Sequence, residues 1–361
     1  MEVLSVVLPI RCSADKDYLV QRLDSSLASF GRYDDVECVV VDSASPAPYA
    51  AAIRRACERD RCVWVTDPEP QQPFAPGSVR NAGAERASGE HILFFDVDLW
   101  CDDDFVGHVM RWAEEAQAPE AFLPIPCLFL TEAGTQRRRP LDEYLRSALA
   151  GENDWVQHVG HSAVVVHREH FLKLGGYRAE YRGHGCEDFD LLHRLVSFHP
   201  MGKRAADYYT DHKTRFPGDY RGFRAYFAYY SLPHLFDGAY TAHQWHPRPL
   251  TRPYYRRRLE NEQLLQQAMR AHDADDGVWS AERPPELPPI AEVIADLQSK
   301  HGFPVDAYPG LFRWRDGVEL PPHTARSKLR KLYLQPAAFF RDSRNPLVRG
   351  LRHLFGAEKR S

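Results

Sequence analysis

The amino-acid sequence predicts an α/β protein: a mostly parallel, mixed sheet with helices on both faces and a helical extension at the C-terminal end. Three observations lead there. Short β-branched apolar runs alternate with segments of helical periodicity over residues 1–100. Val3–Pro9 and Val36–Val41 are continuously apolar rather than alternating, as strands buried on both faces are. The runs also end on carboxylates, Asp42 after the second and Asp96-Val97-Asp98 after the fourth. Open α/β sheets bind their ligands at that carboxyl edge.

The elements follow in order. Val3–Pro9 reads as a strand, and Asp17–Phe30 as a helix with Leu19, Leu23, Leu27 and Phe30 on one face. Val36–Val41 is a second strand, Pro48–Arg59 a helix, Cys62–Val65 a third strand, Gly77–Ala87 an Ala-rich helix and His91–Phe95 a fourth strand. Helix at Asp104–Gln117, strands at Phe122–Leu130 and Ser162–Val166, and helices at Arg168–Leu174 and Glu187–Leu195 come next. Residues 207–240 are rich in Tyr and Phe, and Tyr254–His272 has helical spacing with Pro253 at its start. The expected organisation is a main domain over 1–250, with halves 1–100 and 101–250, and a helix over 251–280. A Pro-rich linker or wrapping segment over 281–322 and a basic amphipathic tail over 323–361 complete it.

Composition narrows the function. With 361 residues, 43% of them hydrophobic, the chain can bury a sizeable core. A net charge of −4 argues against a nucleic-acid partner. Cysteines 12, 38, 57, 62, 101, 127 and 186 contain no C-x-x-C pair, which reads as reduced thiols. No apolar run reaches the ~20 residues of a membrane span, and no leader pattern precedes the first strand. The expected location is the cytoplasm. The tail, in which Lys and Arg alternate with Leu and Phe, is the candidate contact with an anionic membrane on its inner face, or else a helix packed on the main domain.

Four groups of residues could carry chemistry. Asp96 and Asp98 point to one side of a strand end, and paired carboxylates suit a hard divalent cation that keeps positions open for phosphate. The bland alternative is a solvated turn. Arg80-Asn81, on the helix before that strand, offers a guanidinium fork for phosphate or a base carbonyl, or is an ordinary exposed arginine. In Gly183-His-Gly185-Cys-Glu187-Asp188-Phe-Asp190, glycines permit a close-approaching loop and three acids open a helix. Acids in a first turn satisfy free N–H groups, which accounts for one or two, with Asp190 the expected cap. Glu187 and Asp188 are left as candidates for holding hydroxyls and accepting a proton. His243-x-x-His246 sets two imidazoles within reach of one ion, although with 17 histidines in the chain a chance pair is unremarkable.

The order of these pieces is more specific than any one of them. A strand ending at Asp42, Arg80-Asn81-Ala-Gly83, Ala87-Ser-Gly89 and Phe95-Asp96-Val-Asp98 resembles the nucleotide-binding half of family 2 glycosyltransferases, of the fold called GT-A. Gly175-Gly176-Tyr177 followed by the Glu187-Asp188 loop looks like the acceptor motif of β-1,4-galactosyltransferases and chondroitin polymerases, with His184 where they carry Trp. His243-x-x-His246 matches the metal-binding element of the galactosyltransferases. The tail resembles those of bacterial capsule-biosynthesis proteins.

The resemblance covers about residues 1–250 and implies these roles. Pro9, Asp42, Arg80, Asn81 and Asp96 hold the nucleotide-sugar. Asp98, His243 and His246 ligate Mn²⁺ or Mg²⁺. Glu187 binds acceptor hydroxyls and Asp188 is the catalytic base. The donor is expected to be a UDP-sugar, the acceptor a saccharide or polysaccharide, the outcome inversion and the setting capsule or other surface polysaccharide synthesis. The rivals are a sugar nucleotidyltransferase, which would want a Gly-rich loop after the first strand where Pro9-Ile-Arg-Cys-Ser-Ala stands, a glycoside hydrolase, and a non-catalytic carbohydrate-binding protein of the same fold.

Overall fold

The structure, a computed structural model of the full chain, describes residues 3–116, 118–147, 155–214, 216–248, 252–275 and 284–304, and shorter stretches between 311 and 348. The first half follows the predicted alternation: β1 (Leu4–Ile10), α1 (Tyr18–Phe30), β2 (Val36–Asp42), α2 (Ala47–Arg59), β3 (Val63–Thr66), α3 (Pro76–Arg86) and β4 (His91–Phe94). β1 lies between β2 and β4, parallel to both, with Val7 opposite Val39 on one side and Phe94 on the other. Successive side chains of β1 enter opposite layers: Val6 and Leu8 pack with Leu23, Leu27 and Phe30 of α1, whereas Val7 packs with Val79 and Ala84 of α3. α3 presses close to the sheet at Gly83, where an added Cβ would stand 2.4 Å from Val7 Cγ1. That contact fixes the approach of the helix carrying Arg80.

The remaining strands make the sheet mixed. They are β5 (Leu99–Trp100), β6 (Phe122–Leu130), β7 (Trp155–His167) and β8 (Thr241–His243), giving the order β3-β2-β1-β4-β7-β6-β8-β5. β7 runs antiparallel to β4 and β6, and β8 lies parallel to β6 and antiparallel to β5. The strand expected at Ser162–Val166 is the end of the longer β7, whose pairing with β6 continues back to Leu130↔Trp155. Between these strands lie α4 (Phe105–Glu115), α5 (Glu132–Arg137), α6 (Leu141–Ser147), α7 (Arg168–Lys173), α8 (Glu187–Phe198) and α9 (Gly222–Phe236). The aromatic run lies largely in α9, where Phe223, Tyr226 and Phe227 are buried in the core.

The C-terminal region is more tightly incorporated than its composition suggests. After α10 (Pro253–Arg256) comes α11 (Arg258–Asp275), whose Leu265 and Met269 share a core with Leu191 and Leu195 of α8. Within the Pro-rich segment Ile290–Lys300 forms α12, with Ile290 and Ile294 buried against Leu232 and Leu235 of α9. Of the linker and the wrapping segment expected over 281–322, the described part around Ile290–Lys300 is a helix flanked by prolines, whose apolar face completes a core. The first compact unit runs to Phe312, well beyond position 250, and residues 313–361 form a second. In that unit the described residues form a short antiparallel pair, β9 (Trp314–Arg315) with β10 (Val318–Glu319), and helices α13 (Ala325–Leu334) and α14 (Pro336–Arg341). Among the described residues no helix is long and apolar enough to cross a membrane.

Candidate active site

The carboxyl end of β4 and the start of α8 meet at one guanidinium. Arg80 is buried on α3, 1% exposed. Its Nη2 donates to Asp96 Oδ1 at 2.7 Å, and its Nη1 to Asp188 Oδ1 at 3.1 Å and Glu187 Oε1 at 3.3 Å. The Tyr177 ring lies 5.2 Å from the guanidinium carbon. Burial favours loss of the Arg80 proton, but the surrounding acids outweigh it and hold the group charged. One cation faces three carboxylates. Burial first, then the charge of Glu187, raises the Asp188 carboxyl well above its ordinary range. Burial also raises Glu187, with Arg80 opposing.

The two adjacent acids of α8 differ in access. Asp188 retains 21% of its side-chain exposure, Glu187 only 6%. Glu187 Oε2 nevertheless has no hydrogen-bond partner among the described residues. The approach to α8 is built from left-handed residues: Gly183 at φ 76°, Gly185 at 91° and Cys186 at 83°. A Cβ at Gly183 would also meet the Tyr254 carbonyl oxygen at 2.7 Å. For Cys186 that conformation costs of order 1–2 kcal/mol, strain held beside the acids. Asp190 is not the helix cap. It is 1% exposed in its side chain and accepts from Arg194 at 3.0 Å and from the Tyr181 hydroxyl at 3.3 Å, so it locks α8 from inside.

Asp98 forms the second cluster. Its Oδ2 lies 3.3 Å from Nε2 of both His243 and His246. The pairing of Leu99 with His243 across β5 and β8, and the Gln244 N–H donating to the Asp98 carbonyl at 2.8 Å, bring the two segments together. Ligand atoms of the three residues lie within 4.8 Å of one another. Edges of ~3.3 Å suit bonds of ~2.0–2.2 Å to a shared ion. His246 Nδ1 lies 3.1 Å from the Pro247 carbonyl, a partner suited to the tautomer in which Nε2 would be free to ligate an ion. Arg248 Nη2 stands 3.1 Å from His243 Nε2, so a cation already faces this donor set. Burial would raise the Asp98 carboxyl, but the two histidines hold it well below the ordinary range. The donor set therefore fits a divalent metal.

The structure separates residues that the sequence places together. Asp96 and Asp98 follow β4 in a turn rather than within the strand, so Asp96 turns to Arg80 and Asp98 to the histidines. Arg80 is neither exposed nor free to fork onto phosphate, because three acids occupy it. Asn81 is likewise corrected from nucleotide contact to scaffold: its Nδ2 donates to the Tyr177 carbonyl and its Oδ1 accepts the Tyr177 N–H, both at 2.8 Å. Asp42 is buried at the end of β2, accepting from the Ser45 N–H at 3.1 Å. Pro9, opposite Val41, is buried at the end of β1, where β4 no longer pairs and a missing N–H costs nothing on that side.

Two basic residues near Asp98 escaped the sequence reading. Lys16, after β1, sits 5.6 Å from the Tyr254 ring centroid and feels the Asp98 charge, and Arg248 lies two residues beyond His246. A basic residue in the loop after a first strand was the available signal for Lys16; position 248 carried none.

The mixed α/β sheet agrees with the fold class expected from the sequence, and the family match makes the chain a glycosyltransferase. The chain belongs to the glycosyltransferase-like family 2, whose pattern matches residues 5–271. Among similar proteins are the O-antigen biosynthesis protein RfbC of Myxococcus xanthus, 26% identical over 206 residues (51% of this chain, 15% of that protein), and the putative glycosyltransferase EpsH of Bacillus subtilis, 26% over 157 residues (39% and 43%). The matched region thus spans less than half of either relative. Among solved structures, the mannosyltransferase PcManGT of Pyrobaculum calidifontis in complex with GDP-Man and Mn²⁺ aligns over 98% of this chain and 79% of that one, at 16% identity and a TM-score of 0.44. TarS of Staphylococcus aureus aligns over 54% and 55%, at 16% identity and 0.39.

Proposed function

We propose that this glycosyltransferase moves a sugar from a UDP-sugar to a hydroxyl of a saccharide acceptor, with inversion, in the assembly of capsule or another surface polysaccharide. One observation carries the reading. The D-x-D and E-D segments, far apart in sequence, converge, with Asp96, Glu187 and the partly exposed Asp188 on Arg80 and Asp98 beside two imidazoles. Asp188 takes the proton of the acceptor hydroxyl as that oxygen bonds to the anomeric carbon; the bond from carbon to the diphosphate oxygen breaks, and the nucleoside diphosphate leaves with the electron pair. Glu187 Oε2, buried without a hydrogen-bond partner among the described residues, accepts a hydrogen bond from a neighbouring acceptor hydroxyl. Pro9 and Asp42, at the ends of adjacent strands, border the nucleotide. A divalent ion on Asp98, His243 and His246, Mn²⁺ or Mg²⁺, would neutralise charge on the departing diphosphate.

Nucleotide release from a panel of sugar nucleotides tests this. A chelator is expected to abolish it, Mn²⁺ to restore it, and His246→Ala to weaken the restoration. Full activity in the chelator would make the histidines structural. For the tail, Leu329 and Tyr333 are each 66% exposed on α13, and residues 324–361 carry ten Lys or Arg against two Asp or Glu. That composition supports docking on an anionic membrane at ~1 kcal/mol per basic residue near the surface. Truncation after Phe312 is expected to remove binding to phosphatidylserine vesicles and spare transfer to a soluble acceptor; vesicle binding equal to that of the full chain would refute the docking.

A further inference from the structure

A second convergence of metal-ligating side chains lies away from the active site. His193 is on α8, one and a half turns after the catalytic acids, and His272 and Asp273 end α11. His193 Nε2 stands 3.2 Å from Asp273 Oδ1, and His272 Nδ1 stands 3.5 Å from the same oxygen. All three ligand atoms fall within 4.8 Å of one another. Two ligands of a tetrahedral ion bound at ~2.0–2.1 Å are separated by about 3.3–3.4 Å, close to both contacts.

Two atoms are aimed at the gap between these groups without a hydrogen bond. The His193 side chain is 1% exposed, yet among the described residues its Nε2 makes no well-aligned hydrogen bond, and neither does Asp273 Oδ1. The two atoms face each other at 3.2 Å. Their other atoms are already engaged. His193 Nδ1 is 3.0 Å from the Tyr208 hydroxyl, while Asp273 Oδ2 accepts from the Tyr209 hydroxyl at 2.6 Å and from Arg204 Nη1. A ligating imidazole and carboxylate whose remote atoms are fixed in this way are the usual outer frame of a metal site. Asp273 and His272, 11% and 8% exposed in their side chains, leave an entry route for an ion.

We propose that His193, His272 and Asp273 form a second divalent-metal site, of zinc type, that ties α11 to the helix bearing Glu187 and Asp188. The site is structural: no ligand belongs to the proposed transfer machinery, and its existence does not depend on that reading. Two neutral imidazoles and one carboxylate make a borderline-soft set, which selects Zn²⁺ over Mg²⁺. The Arg204 charge beside Asp273 opposes a dication, so the competing arrangement is a plain histidine–aspartate pair held by Arg204.

Metal content separates the two. Full-length protein is stripped with chelator, dialysed, loaded with Zn²⁺ or Co²⁺ and analysed by mass spectrometry of the metal. Asp98→Ala is expected to retain one ion per chain, with the intense visible bands of tetrahedral Co²⁺, and Asp98→Ala/His272→Gln is expected to hold none. Equal metal content in the two variants overturns the site. Should the double variant fail to fold, the melting temperature of Asp98→Ala decides. A hundredfold excess of Zn²⁺ over its Kd is expected to raise it by about 3–4 °C, and an unchanged value leaves only the histidine–aspartate pair.

Discussion

Asp188→Asn is expected to cut turnover by about 10²- to 10⁴-fold, the scale of losing a general base. The amide keeps the size of the side chain and its contact with Arg80 Nη1 at 3.1 Å, but cannot accept the acceptor's proton. Donor affinity is expected to survive, because the strand-end residues and the Asp98 cluster lie on other segments. Glu187→Gln, nearly closed to solvent, is expected to act chiefly on acceptor KM. The raised carboxyl of Asp188 sets the pH dependence. The base works only when ionised, so turnover falls as pH drops through a value above the ordinary ~3.9 of aspartate. Initial rates of the two variants across pH check this, and near wild-type turnover in folded Asp188→Asn would move the role of base to Glu187.

Arg80→Met is expected to have the largest effect on stability, about 3–5 kcal/mol, because it leaves Asp96, Glu187 and Asp188 without their shared cation. The sign with pH follows from Glu187 and Asp188, both raised in the fold. Ionising them costs folding free energy. That cost is absent below their unfolded values, grows as pH rises through the folded ones, and is greater without Arg80. The deficit of the variant is therefore smallest in acid and largest near neutrality. Urea unfolding at pH 4.5 and pH 7.5 measures it, and a deficit independent of pH would mean that Arg80 acts through packing on Tyr177 rather than through charge.

The first half of the sheet was legible because each strand there is a short apolar run between periodic helices, and because parallel pairing follows from that alternation. The length of β7 was not, since Trp155–His161 has no apolar continuity; antiparallel pairing with β6 supplies its regularity. The Pro-rich segment concealed α12, whose amphipathic face has meaning only against α9. At the site, ligand chemistry led to the expectation that Asp98 and the two histidines come together, and their ligand atoms lie within 4.8 Å of one another. The role of Arg80 was misread for a physical reason: local sequence shows an arginine on a helix but not that three carboxylates from two distant segments arrive at it. Asn81 was misread in the same way, since its partner is the backbone of Tyr177, 96 positions away. The cluster of His193, His272 and Asp273 has no motif spacing at all, because helix packing alone assembles it.

The claim on which the function rests is that Asp98, His243 and His246 hold an ion that binds the diphosphate of the donor. Calorimetric titration of UDP into the full chain, with and without Mn²⁺, measures it directly. Mn²⁺ is expected to tighten UDP binding by at least about tenfold in the wild type, about 1.4 kcal/mol, and to have no effect in Asp98→Ala. Equal UDP affinity in the presence and absence of Mn²⁺, or an undiminished Mn²⁺ effect in Asp98→Ala, would contradict it.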